Sequence, residues 1–382
     1  MPDPGHVAIG AWSGGRFLHF GEAIEDERLT ALLRPDERLN TILTADVYGQ
    51  GEADRLVGRA LAGMPREEYC LVGAIGHDFV DGTRDGPRGF PRFTDPALRG
   101  PGAYADYVRR ATEASLERVG VDAFDVLLLH NPDRLGYTHA GVWEALEAVR
   151  AQGLTRQLGV APGPANGFTL DLIECIERFG DSIDWAMVIL NPLEPWPGEL
   201  VMDAAGAHGV RLITRVVDYG GLFWDELRPE HELERRDHRS FRPAGWVQRG
   251  LARLEPMRAI AARHGLTPLQ LACQFNLAHD PVACAVPTLI QESFPGARSI
   301  EAQREELAAT PAEVVLSAAE VAEIRAAGDN TGSMALKGAS PEHEGAERPD
   351  RWQLQPGYEE LARRWGIDPE SDLCPRSGAA VT

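Results

Sequence analysis

Ionisable and hydrogen-bonding side chains gather directly behind short apolar runs of this chain. In order they are Trp12; Asp46 and Tyr48; His77 and Asp78; His130, Asn131 and Asp133; Asn191 and Glu194; and Arg215, Asp218 and Tyr219. A single His or Asp after a strand commonly caps a helix or ties down a loop. So many together are costly to bury without solvent or a ligand, and they predict a pocket for a polar molecule. A phenol and an imidazole can exchange protons with such a molecule near neutral pH. Trp12, His77, Asp78 and Asn131 are the candidate substrate contacts. His77, His130, Glu194 and Asp218 would be the ligands of a metal variant, but their wide separation gives no spacing signature, and no metal is assigned.

These side chains need a frame that brings strand ends together. Apolar runs at 7–9, 39–43, 70–75, 124–129, 156–160, 185–190, 210–217 and 282–286 alternate with helical patterns at 102–119, 140–152, 170–179, 199–207, 246–263 and 268–278. Most of the runs are continuously hydrophobic, as parallel strands covered on both faces are. Gly120, Gly153 and Gly265 stand at helix-stop positions. Eight strands alternating with helices predict an α/β chain folded as a closed (β/α)8 TIM barrel, whose pocket lies at the C-terminal strand ends. An open doubly wound sheet fits less well. The stretch Gly159-Val-Ala-Pro-Gly163 lacks GxGxxG spacing and follows the fifth strand rather than the first.

The barrel is assigned to residues 1–328, and 329–382 to a C-terminal extension packing on it. In that extension a polar stretch at 329–351 leads to a short helix over 356–365, with Trp352, Tyr358 and Trp365 as docking residues. A segment at 78–101, rich in Gly, Pro, Arg and Phe, follows the third strand and is expected on the catalytic rim as a lid or substrate wall.

The 382 residues suit one barrel of about 250 residues carrying insertions. A hydrophobic share of 43% with 25% charged residues belongs to a globular chain, not a disordered one. Lys+Arg 38 against Asp+Glu 58 leaves a net charge of −20, which argues against nucleic-acid or anionic-membrane partners. No apolar run reaches the ~20 residues that span a bilayer, and Met1-Pro2-Asp3-Pro4-Gly5 does not read as a secretory signal. The scattered Cys70, Cys175, Cys273, Cys284 and Cys374 read as reduced core thiols of a cytoplasmic protein.

Several stretches carry a resemblance. Gly10-Ala-Trp12, Thr44-Ala-Asp-Val-Tyr-Gly-Gln-Gly51 and Leu56-Val-Gly-Arg-Ala-Leu61 resemble the opening of the aldo-keto reductase superfamily. Ser115-Leu-Glu-Arg-Val-Gly120, Phe124-Asp-Val-Leu-Leu-Leu-His-Asn-Pro-Asp133, Gly153-Leu-Thr-Arg-Gln-Leu-Gly-Val160 and Pro295-Gly-Ala-Arg298 continue it in the family's order, over roughly residues 7–310. The strand end Leu-Leu-His-Asn-Pro-Asp and the helix Gln274-Phe-Asn-Leu-Ala-His279 are nearest the aldose-dehydrogenase-like branch. The resemblance implies an oxidoreductase that reduces a sugar-like or hydroxylated carbonyl with NADP(H) or NAD(H), through a Tyr, Asp, Lys and His tetrad.

Carried over by position, Tyr48 and His130 keep the tyrosine and histidine, the aspartate falls on Leu43, and the lysine falls on Ala74 or Gly73. The Ser-Asn pair that holds the nicotinamide falls on Ala161-Pro162, the following glutamine near Met187, and the stacking tyrosine near Arg215, with Val216-Val217 in the pyrophosphate loop. Asn191, Arg215 and Arg298 remain as cofactor-binding candidates, the last behind an insertion at 288–294. With this degenerate active site, the expected cofactor use is atypical or weak, and the absence of any cofactor stays open. The alternative is a non-redox lyase, dehydratase or isomerase using Tyr48 and His130 as its acid/base pair; a silent binding subunit is a third reading. The expected partner is a small polar carbonyl compound, and a homo-oligomer stays open.

Overall fold

A computed structural model describes residues 2–86, 89–163, 169–242, 244–331, 357–368 and 372. Eight parallel strands form one sheet in chain order: β1 (Ile9–Gly10), β2 (Thr41–Leu43), β3 (Cys70–Ile75), β4 (Phe124–His130), β5 (Thr155–Ala161), β6 (Trp185–Ile189), β7 (Arg211–Arg215) and β8 (Val282–Val286). Val7 bridges Ala285, and Ala285 N donates to His6 O at 2.9 Å, which closes the ring. Around it run α1 (Asp26–Leu33), α2 (Glu52–Leu61), α3 (Tyr104–Val119), α4 (Arg134–Thr138), α5 (Ala140–Ala151), α6 (Thr169–Phe179), α7 (Met202–Ala207), α8 (Trp246–Arg263), α9 (Pro268–Leu277), α10 (Ile300–Ala308), α11 (Ala318–Ala327) and α12 (Tyr358–Arg364). The fold is the (β/α)8 barrel. Its β7 stops short of the 210–217 run because Val216 turns into the left-handed region at φ 59, which a β-branched residue adopts only under strain.

Successive side chains of a strand point to opposite faces, so each strand serves two cores. Leu43, Cys70, Val72, Ala74, Val126, Leu128, Trp185, Met187 and Ile213 fill the barrel interior. Ile42, Leu71, Ile75, Phe124, Leu127, Leu129 and Leu212 face the helices. Gly159 leaves the space that Trp185 occupies: a Cβ there would lie 2.4 Å from the Trp185 carbonyl oxygen.

The 78–101 segment is pinned to the rim. Asp78 N donates to Pro91 O at 2.8 Å, Phe93 N donates to Gly76 O at 3.0 Å, and the Phe93 ring stacks on Tyr107 at 4.9 Å. In the C-terminal region α12 lies against α6. Tyr358 Oη donates to Asp171 at 2.6 Å and Trp365 Nε1 to Glu177 at 2.8 Å. Trp352 and Cys374 lie outside the described residues, while Cys70, Cys175, Cys273 and Cys284 are buried and free of disulfides.

Gly159→Ala is expected to lower the unfolding free energy by about 1–3 kcal/mol through overpacking against backbone. Gly206→Ala, in α7 where nothing lies within 4 Å of the added Cβ, should raise it by up to about 1 kcal/mol. Urea unfolding reads the two as opposite shifts of the midpoint.

Candidate active site

Strand parity decides which residues meet at the mouth. Val126 and Leu128 point inward, so His130 two residues later does too, and Ile213 sets Arg215 in the same way. Tyr48 stands on the turn after β2 and packs, with Trp12, on the interior cluster. The Tyr48 and His130 rings meet edge to face, with centroids 5.8 Å apart at 82°. Trp12 lies 6.4 Å from Tyr48 and His77 5.2 Å from His130. Beneath them Leu43 and Ala74 form an apolar floor. Parity also settles the two-residue alternative in β3. A Cβ on Gly73 would strike the outward Phe124 ring at 2.5 Å, so Ala74 is the inward residue.

Burial controls the charges here. It pushes the Tyr48 phenol up to about 12, with the Arg215 guanidinium pulling the other way. His130 is held well below the usual imidazole range by burial first, then by His77, Arg92 and Arg215, and its Nδ1 finds no hydrogen-bond partner. His77 is lowered to about 3 by burial and by Arg92, against the opposing pull of the Phe90 carbonyl. His77 Nδ1 lies 2.9 Å from Arg92 Nη1 and 3.2 Å from the Phe90 carbonyl, and its Nε2 lies 3.0 Å from the Asn131 side-chain amide nitrogen. Both rings are therefore neutral at physiological pH, and Tyr48 keeps its proton.

The remaining expected residues are placed differently. Asn131 supports His77 while its own carbonyl accepts from Arg92 Nε. Asp78 is wholly buried and anchors the rim loop: it pairs with Arg99 and accepts from Val80 N and Asp81 N. Asn191 is spent on its own turn, donating to Val216 O at 3.0 Å and accepting from Leu193 N at 3.0 Å. Arg92 was missing from the sequence reading. Its only signal was the arginine-rich composition of the loop that carries it.

A dinucleotide needs unengaged donors for its phosphates and carboxamide. Here Gly221 N and Thr288 N donate to the Asp218 carboxylate at 2.9 and 2.8 Å. Arg298 pairs with Glu306 at 2.6 Å and with Glu226 at 3.2 Å, and donates to Trp224 O. Arg239 is held between Asp237 and Glu292. Pro162 has no N–H to offer. As arranged, these donors are engaged by acceptors of the chain itself. Among the described residues, no three His, Cys, Asp or Glu side chains gather around a metal-sized space.

The aldo/keto reductase family profile matches residues 7–329. The chain belongs to this family. Among relatives, a D-threo-aldose 1-dehydrogenase of Pseudomonas sp is 30% identical over 173 residues, 41% of this chain and 53% of that protein. A 6-dehydroglucose reductase of Novosphingobium aromaticivorans is 28% identical over 205 residues, 50% of this chain and 59% of that protein. The chain thus spans a little over half the length of these curated relatives. Among solved structures, a glycerol dehydrogenase from Gluconobacter oxydans aligns with a TM-score of 0.64 at 22% identity, over 84% of this chain and 90% of that one. An aldo/keto reductase from Klebsiella pneumoniae in complex with NADP and acetate aligns at 0.55 and 21% identity, over 84% of this chain and 89% of that one. At these identities the structures speak for the fold.

The depressed histidines give a pH signature. Each stays neutral in the folded chain but takes a proton in the unfolded chain below about 6.5. Stability is therefore whole above that pH and falls as pH drops toward about 3. For the His77 ring the loss by pH 5 reaches about 2 kcal/mol. In urea unfolding at pH 7.5 and 5.0, the wild type should lose roughly 1–2 kcal/mol more than His77→Gln. Conversely, Leu43→Asp with Ala74→Lys sets an amine beneath the phenol. Tyrosinate absorbance, with Tyr48→Phe as blank, should then titrate below the burial-raised value of about 12.

Proposed function

We propose that this protein is an aldo/keto reductase-type oxidoreductase acting on a sugar-like or hydroxylated carbonyl compound, with weak or atypical NAD(P)H use. The observation that carries the reading is the Tyr48–His130 contact: a phenol and an imidazole meet at the inward mouth over an apolar floor. Two donors converging on one point can hold a carbonyl oxygen and stabilise negative charge developing on it. Tyr48 acts as the acid rather than the base. At about 12 instead of 10, the phenol holds its proton about 3 kcal/mol more tightly, which slows transfer unless the developing oxyanion and Arg215 offset it. The sugar-like substrate class is supported by the names of the two relatives. Weak nucleotide use is supported by the carboxylates of Asp218, Glu226 and Glu306 on the donors a phosphate would need. The same observation favours a second reading, a non-redox lyase, dehydratase or isomerase using Tyr48 and His130 without a nucleotide. A cytoplasmic location belongs to the proposal, supported by the four buried, unpaired thiols.

Aldoses and hydroxyketones incubated with NADH or NADPH, followed at the nicotinamide absorbance and by product chromatography, test this. Tyr48→Phe should lower kcat/KM by about 100-fold or more and His130→Ala by at least tenfold. Fluorescence titration should show nucleotide binding well weaker than micromolar. Micromolar binding would overturn the weak-use part. Substrate conversion without nucleotide turnover would replace the first reading with the second, and unchanged turnover in both variants would remove the site.

A further inference from the structure

Arg215 brings a positive charge into the mouth that, among the described residues, no carboxylate answers. It is the last residue of β7, on the inward face, and its Nη2 donates to the carbonyls of Pro162 at 3.2 Å and Gly163 at 2.5 Å. Those carbonyls follow Ala161, the register partner of His130, so the guanidinium reaches over β6 to the imidazole's side of the ring. Among the described residues, its Nε and Nη1 make no hydrogen bond. With Met187, Ile189, Pro197 and Gly198 it lines a cavity of about 30 Å³, room for one water-sized group.

Among the described residues, the rings and the guanidinium that share the mouth with this cation are neutral or positive. His130 and His77 are uncharged, Tyr48 is protonated, and Arg92 adds a second guanidinium bound only to Asn131 O, Phe90 O and His77 Nδ1. Three of the strand-end carboxylates are committed elsewhere. Asp78 pairs with Arg99, Asp133 accepts from Gly136 N at the start of α4, and Asp218 holds Gly221 N and Thr288 N. Burying an unanswered charge is costly, and a ligand that supplies the anion relieves that cost. Nη2 is engaged by the two carbonyls and Nε and Nη1 lie on opposite edges of the guanidinium, so an anionic oxygen is met by a single charge-assisted donor, Nη1.

We propose that Arg215 receives the acid group of the substrate, so that this site takes a hydroxylated carbonyl compound carrying a carboxylate, of the uronate or keto-aldonate class. This rests on the reading that Tyr48 and His130 hold the carbonyl. The carboxylate docks on Nη1 at the β7 side while the carbonyl oxygen meets the phenol and imidazole at the β2–β4 side.

The test is binding to the full chain, by calorimetry or by tryptophan fluorescence with Trp12 beside the site, for D-glucuronate against D-glucose and D-galacturonate against D-galactose. Each acid should bind at least tenfold more tightly than its neutral partner, the scale of a charge-assisted hydrogen bond. Arg215→Gln should bring the ratio to within about twofold, and Arg215→Lys should keep part of it. A wild-type ratio near one overturns the proposal even if the variants do not fold, as does a ratio that survives Arg215→Gln. Tyr48→Phe separates the two readings. If it weakens acid and neutral sugars alike while the wild-type ratio is near one, the carbonyl site stands and the acid pocket falls. If it changes neither, the carbonyl reading falls and takes this one with it.

Discussion

In a closed ring of parallel strands, an odd or even count along each strand fixes which side chains share the central axis. Here that count puts His130, Arg215, Ala74 and Leu43 on the axis, together with the Trp185 and Met187 that fill the barrel below them. A slip of one residue in β4 would turn His130 outward and drive Leu129, now packed on the helices, into the mouth. Register against both neighbours prevents it: Leu129 pairs with Val160 and His130 with Ala161 on one side, while Ala74 pairs with Leu128 on the other. The chemistry available at the mouth is therefore a consequence of pairing laid down several residues deeper.

That floor also sets the electrostatics. Leu43 and Ala74 offer no charge and no hydrogen bond, so the groups above them lose solvation without compensation, and each moves toward its neutral form. The phenol rises and both imidazoles fall. The direction is opposite to that of a phenol activated by a buried amine. What remains is a set of neutral donors near two cations. Such a set suits an oxygen that becomes negative during reaction better than it suits removal of a proton at rest.

The eight strands were legible because parallel strands covered on both faces read as unbroken apolar runs, and their order alone implied the barrel. The Tyr48–His130 pair was legible through the family resemblance, which matches Tyr48 in the turn after the second run and His130 at the end of the fourth. The ends of elements were less so. Nothing in the 210–217 run marks Val216 as the residue that leaves the strand, since its left-handed turn is set by the loop beyond it. Nor could composition tell Ala74 from Gly73, a choice made by the Phe124 ring on a neighbouring strand. Asp78, Asn191 and Arg298 had the right types in the right places, yet each is taken by a partner: Arg99 for the first, Val216 and Leu193 for the second, Glu226 and Glu306 for the third. Arg92 reaches His77 from 15 residues away through a loop with no periodic pattern, a contact that only the folded rim creates.

Charge makes the mouth stand out from the rest of the molecule. In a chain of net charge −20, carboxylates are plentiful, and the buried arginines outside the mouth find them. Arg99 meets Asp78, Arg118 meets Asp54, Arg239 meets Asp237 and Glu292, and Arg304 meets Asp36. Arg242 lacks an ion pair but lies over the faces of Tyr219 and Trp246, 4.5 Å from each. Among the described residues Arg215 has neither arrangement, only two backbone carbonyls on Nη2. With acids so abundant, chance pairing would have neutralised a guanidinium that served packing alone. A cation left open on the axis of the barrel, beside a phenol and an imidazole, is the arrangement expected where the missing charge arrives with a ligand.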